Sequence, residues 1–264
     1  MKKLTEKQII KKLQNDNNYY GDFGRAWLSN TDISDLLKDP GQFRIKKPDN
    51  ENFCKGRYFH QLLLEEKKAK DFPIVDVATR SGEYKKFLEE NNLEFALKKT
   101  EADEIKNMAE WCMDEKNIKA QPLRDVLKDF NCQTEVPKVG KFYNKYDFKC
   151  KADIVCSDII IDLKTSGDVF SFKRNAPYYN YDTQAFIYLA LFKLPAFKFI
   201  AVGKNKKYYA HSGEPYYDIG YFDVSKEFVN QGKEKLEQAL TIYEKYYSDN
   251  RTHKIEEMII HDKL

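Results

Sequence analysis

A chain of 264 residues with 42% hydrophobic and 14% aromatic side chains has enough apolar material for a sizeable core, so one α/β domain is the default and wholesale disorder is excluded. Its 45 Lys and Arg against 42 Asp and Glu leave a net charge of +3, which does not single out a nucleic-acid binder. The mean hydropathy of −0.72 then reflects a charged surface, and no apolar run approaches the roughly 18 residues of a membrane-spanning helix.

In chain order, Thr5 and Gln8 have capping-box spacing ahead of Ile9, Ile10 and Leu13, which predicts a first helix. A short helix over 33–37 ends at the Asp39-Pro40-Gly41 turn, and the polar, Pro-containing 42–53 reads as loop. Residues 56–68 read as a helix with Phe59, Leu62, Leu63 and Leu64 on its apolar face and His60 beside it. A strand near 74–78 precedes helices near 84–90, 101–115 and 122–130. From Thr134 to residue 163 the chain alternates and is rich in β-branched and aromatic types, as strands are. A polar loop over 165–177 leads to a helix over 182–192, strands over 197–202, 207–210 and 219–223, and a long helix over 225–247. This order predicts a mixed α/β fold with a central sheet and a helical N-terminal part wrapping one face.

Five cysteines, odd in number, scattered and without a C-x-x-C pair, fit a reduced cytoplasmic protein, as does the absence of a signal peptide. Residues 138–151 hold five lysines among Phe142, Tyr143, Tyr146 and Phe148, with Asp147 the single acid. Such a stretch either tracks a phosphate backbone or forms a solvated basic hairpin.

The densest chemistry lies in KADIVCSDIIIDLKTSGD, residues 151–168. Phe148, Cys150, Ala152 and Ile154 alternate with Lys149, Lys151, Asp153 and Val155, so Asp153 points away from the apolar face. Residues 159–163 are apolar on both faces apart from Asp162, which suggests a strand near the sheet centre, where an unpaired carboxylate is very costly. A two-residue turn at Ser157-Asp158 places Asp153 opposite Asp162; a plain three-residue turn breaks that arrangement, and a bulge restores it. Lys164 shares the face of Asp162 in either case. Adjacent buried carboxylates stay ionised only with a cation between them. Two readings are open: Lys164 alone completes a structural triad, or Mg²⁺ or Mn²⁺ sits in an oxygen site with Lys164 orienting or deprotonating water.

Asp153, followed by Ile159-Ile160-Ile161-Asp162-Leu163-Lys164-Thr165, resembles the PD-(D/E)XK nuclease motif, an acid on one strand and acid-x-Lys on the next. Gly56-Arg57-Tyr58-Phe59-His60-Gln61-Leu62-Leu63-Leu64-Glu65 resembles the helical histidine motif of the RecB-like branch. Tyr181-Asp182-Thr183-Gln184-Ala185-Phe186-Ile187-Tyr188 is similar to its Q-x-x-x-Y helix, with Gln184 and Tyr188 on one face. The spacing and the D-L-K-T-S run are most similar to the exonuclease VIII (RecE) type, with lambda exonuclease more distant. The resemblance covers roughly 56–223.

That resemblance implies a restriction-endonuclease-like α/β core at 56–223, its central mixed sheet flanked by helices, within a single nuclease domain. A helical extension at 1–55 and a C-terminal helix and tail at 224–264 would complete the domain. It implies Asp153, Asp162 and the Leu163 carbonyl as metal ligands, His60 completing the shell, Lys164 as the catalytic lysine, and Gln184 holding Lys164 or DNA with Tyr188 nearby. Glu65 turns about 140° from His60 on a helix, away from its face, whereas Glu135, one strand earlier, could reach the site as a supporting acid. Thr165, Ser166, Lys173 and Arg174 are the expected DNA contacts, with Phe172 available to stack on a base. No cysteine follows Cys156, which excludes the iron–sulfur cluster of some RecB-like nucleases, and no helicase P-loop occurs. The implied activity is Mg²⁺-dependent exonuclease action on double-stranded DNA ends, 5′ to 3′, in recombination and often phage-borne. A ring-shaped homo-oligomer and a single-strand annealing partner are implied with it. Rival readings are a structure- or site-specific endonuclease on the same fold and a non-catalytic DNA-binding protein. Intact Asp153, Asp162 and Lys164 count against the last.

Overall fold

The computed structural model describes residues 4–259. Its N-terminal helices are α1 (Glu6–Leu13), α2 (Asp16–Tyr20), α3 (Asn30–Lys38), α4 (Glu51–Leu64) and α5 (Glu66–Lys70). A middle section follows with β1 (Ile74–Val75), α6 (Gly82–Glu90), β2 (Leu97–Lys98), α7 (Lys99–Met113) and α8 (Gln121–Lys128). The sheet region comprises β3 (Gln133–Phe142), β4 (Tyr146–Val155), β5 (Ile159–Ser166), α9 (Phe172–Asn175), α10 (Tyr181–Phe192), β6 (Ala196–Gly203), β7 (Lys207–Tyr208), β8 (Pro215–Tyr216) and β9 (Ile219–Asp223), closed by α11 (Lys226–Tyr246).

Local chemistry starts most of the helices. Thr5 and Gln8 form the expected capping box on α1, Ser29 and Asp32 form another on α3, and Ser81 and Ser225 cap α6 and α11. Asn50 accepts from the Phe53 N–H at 3.1 Å, so α4 begins within the stretch expected to be loop. The helix expected over 56–68 breaks at Glu65, whose φ of −141° is extended, and resumes as α5.

The main sheet has the order β3-β4-β5-β6-β9, with only β5 and β6 parallel. A parallel pair needs a crossover, which α10 supplies. One face packs Phe148, Cys150, Ile160, Phe197 and Phe199 against α10, α11 and α3. The other packs Ile161, Leu163, Ile200 and Val202 against α4 and α7. Both faces of β5 are therefore covered, which is why it reads as a continuous apolar run. α11 closes on α10 at Gly232, where an added Cβ would lie 2.0 Å from the Asp182 carbonyl oxygen. Of the N-terminal helices, α3 lies on the α10–α11 side, α4 on the opposite face and α1 along the edge strand β3, so they do not wrap a single face.

Three expectations need correction. Cys132 and Cys156 are joined by a disulfide, because the β3–β4 register sets them opposite each other just beyond Gln133 and Val155. The 138–151 lysines form no open basic ribbon: Lys138, Lys141 and Lys145 pair with Glu6, Asp147 and Glu244, and Lys149 is buried. The alternation along β4 fails at Asp153, since Ala152 packs on the α10 side and Ile154 on the α4 side. Opposite this point Glu135 has φ +52°, and its pair with Asp153 is missing from a ladder that resumes on both sides. Among the described residues no helix is long and apolar enough to cross a membrane.

Candidate active site

Tyr58, Phe59 and Cys54 anchor α4 in the core, which turns Phe53, Gly56, Arg57 and His60 toward a cleft. His60 Nδ1 lies 3.5 Å from Asp153 Oδ2. The Ser157-Asp158 turn has two residues, with Cys156 N–H bonded to Ile159 O at 3.0 Å and Ile154 opposite Ile161. Beyond that pair the β4–β5 ladder ends, and Asp153 Oδ2 instead accepts from the Leu163 N–H at 2.7 Å. The strands separate where the register carries Asp153 and Asp162.

Asp162 is 2% exposed. Its Oδ1 accepts from Gln184 Nε2, and its Oδ2 is ion-paired with the Lys164 ammonium. Lys164 also sits over the Tyr181 ring, 4.9 Å from its centroid. Burial pushes the Asp162 carboxyl up to about 6, against the pull of Lys164. Burial also acts on Asp153, but there the charge and hydrogen bond of His60, with help from Lys164 and the Leu163 N–H, prevail and hold the carboxyl below its ordinary range. His60 is raised, because Asp153 outweighs the burial that disfavours its charged form. Lys164 is raised likewise, Asp162 and Tyr181 outweighing burial.

Glu135 joins the site from β3. One ligand atom each from His60, Glu135 and Asp153 lie within 4.8 Å of one another. The left-handed backbone at Glu135 is uncommon for a residue with a long side chain and marks local strain beside the site. Burial raises the Glu135 pKa, and Lys151 opposes this from 3.0 Å. Lys151 also reaches Asp16 at 2.6 Å, and Lys68 ties Asp16 to Glu65, so a charged chain runs from α2 along the cleft wall.

Two clefts of about 820 Å³ and 760 Å³ meet over this centre, sharing Phe53, Gly56, His60 and Lys164 in their linings. His60, Asp153, Asp162, Lys164, Gln184 and Tyr188, the side chains inferred from sequence, all line the first cleft, together with Glu135. His60 and Asp153 meet Glu135, whereas Asp162 turns to Lys164 and Gln184; Leu163 contributes its N–H to Asp153. Gln184 bonds Asp162 rather than Lys164, and the Tyr188 hydroxyl donates to the Lys151 carbonyl at 3.1 Å. Thr165 and Ser166 line the second cleft. Lys173 and Arg174 are exposed on α9 and line neither of these clefts. Phe172 borders the second cleft but is 6% exposed and stacked on Phe222, so it presents little ring to a base. Lys151 and Asp16 were missed; Lys151 precedes Asp153 by two residues within the same charged run, but nothing near Asp16 signals its contact.

The carboxylates of Glu135 and Asp153 and the imidazole of His60 suit a hard divalent cation, and the residues present therefore fit one. A mixed sheet carrying an acid, then acid-x-Lys, beside a helical histidine defines a nuclease fold of the PD-(D/E)XK superfamily. Residues 38–255 match the model of a PDDEXK-like domain of unknown function (DUF3799), and the chain belongs to that family. No curated protein matches the sequence. Among solved structures, the fold is similar to that of a "putative exonuclease" from Eubacterium rectale, with 15% identity, TM-score 0.58, and coverage of 100% of this chain and 97% of that one. A phage related exonuclease from Haemophilus somnus 129PT has 15% identity and TM-score 0.35, covering 82% of this chain and 93% of its own, too distant to add to the argument.

Proposed function

We propose that the protein is a Mg²⁺-dependent exodeoxyribonuclease, with Mn²⁺ able to substitute, that hydrolyses phosphodiester bonds from double-stranded DNA ends. The observation that carries this reading is the His60–Glu135–Asp153 cluster next to the buried Asp162–Lys164 pair, at the junction of two clefts. A divalent cation held there by Asp153, His60 and Glu135, with Asp162 in reserve, would supply Lewis-acid polarisation of the phosphate and lower the pKa of water. Burial disfavours the Lys164 charge, but Asp162 and Tyr181 outweigh it, so the ammonium keeps its proton at neutral pH, acts as a donor to a phosphoryl oxygen and stabilises developing charge. Gln184 fixes Asp162, and Asp153 fixes the imidazole of His60. Thr165 and Ser166 are positioned to meet the sugar-phosphate chain in the second cleft.

The RecE-like resemblance supports 5′ to 3′ action in recombination, a phage setting, a homo-oligomeric ring, a single-strand annealing partner and a cytoplasmic place of work. The test is digestion of linear and covalently closed circular duplex DNA by the purified protein, in Mg²⁺ and in EDTA, with Asp162→Ala as control. Metal-dependent loss of the linear form alone is expected. Cutting of the circle would replace this reading by an endonuclease, and failure to cut either form would leave a DNA-binding protein.

A further inference from the structure

Gly56 lies in the interior of α4, where glycine costs roughly 0.5–1 kcal/mol relative to alanine, yet nothing in the fold requires it. An added Cβ there would meet only Thr165 Oγ1, at 3.7 Å, an ordinary contact. Gly232 is the contrasting case, because a Cβ there would collide with the backbone of α10. The bare surface at Gly56 forms the saddle between the two clefts. Phe53 is three residues before it on the same face and His60 four residues after. Phe53 is 54% exposed, although it carries a large apolar side chain beside a charged centre. Beyond the saddle, Lys204 contacts the Asn52 side chain at 2.8 Å and forms no ion pair among the described residues. It is a cation available to a phosphate.

Resting on the nuclease reading, we propose that one nucleic-acid strand threads from the first cleft to the second across Gly56, with Phe53 stacked on a base next to the nucleotide at the His60–Asp153 centre. The missing side chain lets the sugar-phosphate chain approach the helix backbone, and the exposed ring offers a base a sequence-tolerant stacking platform. Lys204 then meets the strand as it leaves.

The test is fluorescence anisotropy of a labelled oligothymidylate in EDTA, where cleavage cannot occur, together with quenching of 2-aminopurine placed along the strand. Phe53→Ala should weaken binding by about 10-fold or more and abolish the quenching, while Phe53→Trp retains both. Gly56→Ala should melt no lower than the parent, and Gly56→Leu should melt like it but bind the strand at least about 10-fold more weakly. Parental binding and quenching in both Phe53→Ala and Gly56→Leu would overturn the proposal, and would leave the nuclease reading standing if the parent still cuts DNA in Mg²⁺. Phe53-dependent binding by a parent that does not cut would overturn the nuclease reading and support the threaded strand.

Discussion

Replacing Lys164 by methionine isolates the electrostatics of the site. Asp162 is 2% exposed, and its carboxyl is already pushed up to about 6 from an ordinary 3.8 with the ammonium in place. Between those two pH values the folded state holds the proton more tightly than the unfolded one, so this group's contribution to stability falls as pH rises, by about 3 kcal/mol in all. Lys164 lowers the Asp162 pKa, so its removal extends the falling window above pH 6. Lys164→Met should therefore be close to the parent at pH 4–5 and destabilised by about 3–5 kcal/mol at pH 8, the usual loss on breaking a buried pair. Urea denaturation across that range, without divalent metal, reads the difference directly. Adding Asp162→Asn to Lys164→Met should remove most of the pH-dependent loss, because the carboxylate that remains, Asp153, keeps His60 and the Leu163 N–H as partners. A parent-to-variant difference that is constant from pH 5 to 8, or a double variant no more stable at pH 8 than Lys164→Met, would show that Asp162 ionisation is not what Lys164 offsets.

Lys149 is 6% exposed and is lowered to about 8 by burial, with the Tyr19 carbonyl and ring as its company. Its folded-state pKa is depressed, so the parent gains stability as pH rises from about 8 to 10.5; Lys149→Met should stabilise by about 1–2 kcal/mol at pH 7, with the gain fading by pH 10. An equal effect at both pH values in urea titrations would count against a buried charge. Glu135→Gln should weaken Mn²⁺ binding by about 10-fold in calorimetric titration, and unchanged affinity would remove Glu135 from the ligand set. Gly232→Ala should lower stability by about 1–3 kcal/mol through the 2.0 Å approach to Asp182, measured by thermal melting; no loss would mean that α10 and α11 separate freely. Cys156→Ser should cost up to about 3 kcal/mol against the oxidised parent and nothing in dithiothreitol, because the nine-position β3–β4 ladder persists without the bond. A difference that survives reduction would assign the effect to the side chain.

Elements with local signals were legible in the sequence. The Thr5 and Gln8 capping box, the period change at Thr134 and the Ser157-Asp158 turn each depend on residues a few positions apart, and each appears in the fold. His60, Asp153, Asp162, Lys164 and Gln184 were legible as residues that would come together, because their order along the chain fits one topology, and they line one cleft. What stayed hidden depends on long-range contacts. The short parallel pair β1–β2 forms only when residues on either side of α6 meet. The Cys132–Cys156 bond needs a register that the 24-residue separation does not reveal. Glu135 gave no sign of a left-handed backbone, since that conformation is imposed by its neighbours rather than favoured by its type. Asp16 meets Lys151 across 135 positions, beyond the reach of any periodicity.

The position of the site follows from how a sheet tolerates charge. A central strand buries its backbone and both its faces, so a carboxylate can enter only where the ladder is interrupted and other partners replace the lost ones. At Asp153 the interruption occurs on both sides of β4: the Glu135 pairing is missing toward β3, and the pairing with β5 stops at Ile154–Ile161. The Leu163 N–H is satisfied by the Asp153 side chain, so the break leaves no orphaned donor there. The same break makes the two acids unlike: Asp153 gains His60 and a backbone donor and stays ionised, whereas Asp162 remains under α10 with Gln184 and Lys164 and is pushed toward neutrality. Asp153 is thus held ionised by His60, while Asp162, although pushed up by burial, stays paired with the Lys164 ammonium. Both states come from a single defect in strand pairing, which ties the chemistry of the site to the register of the hairpin that bears it.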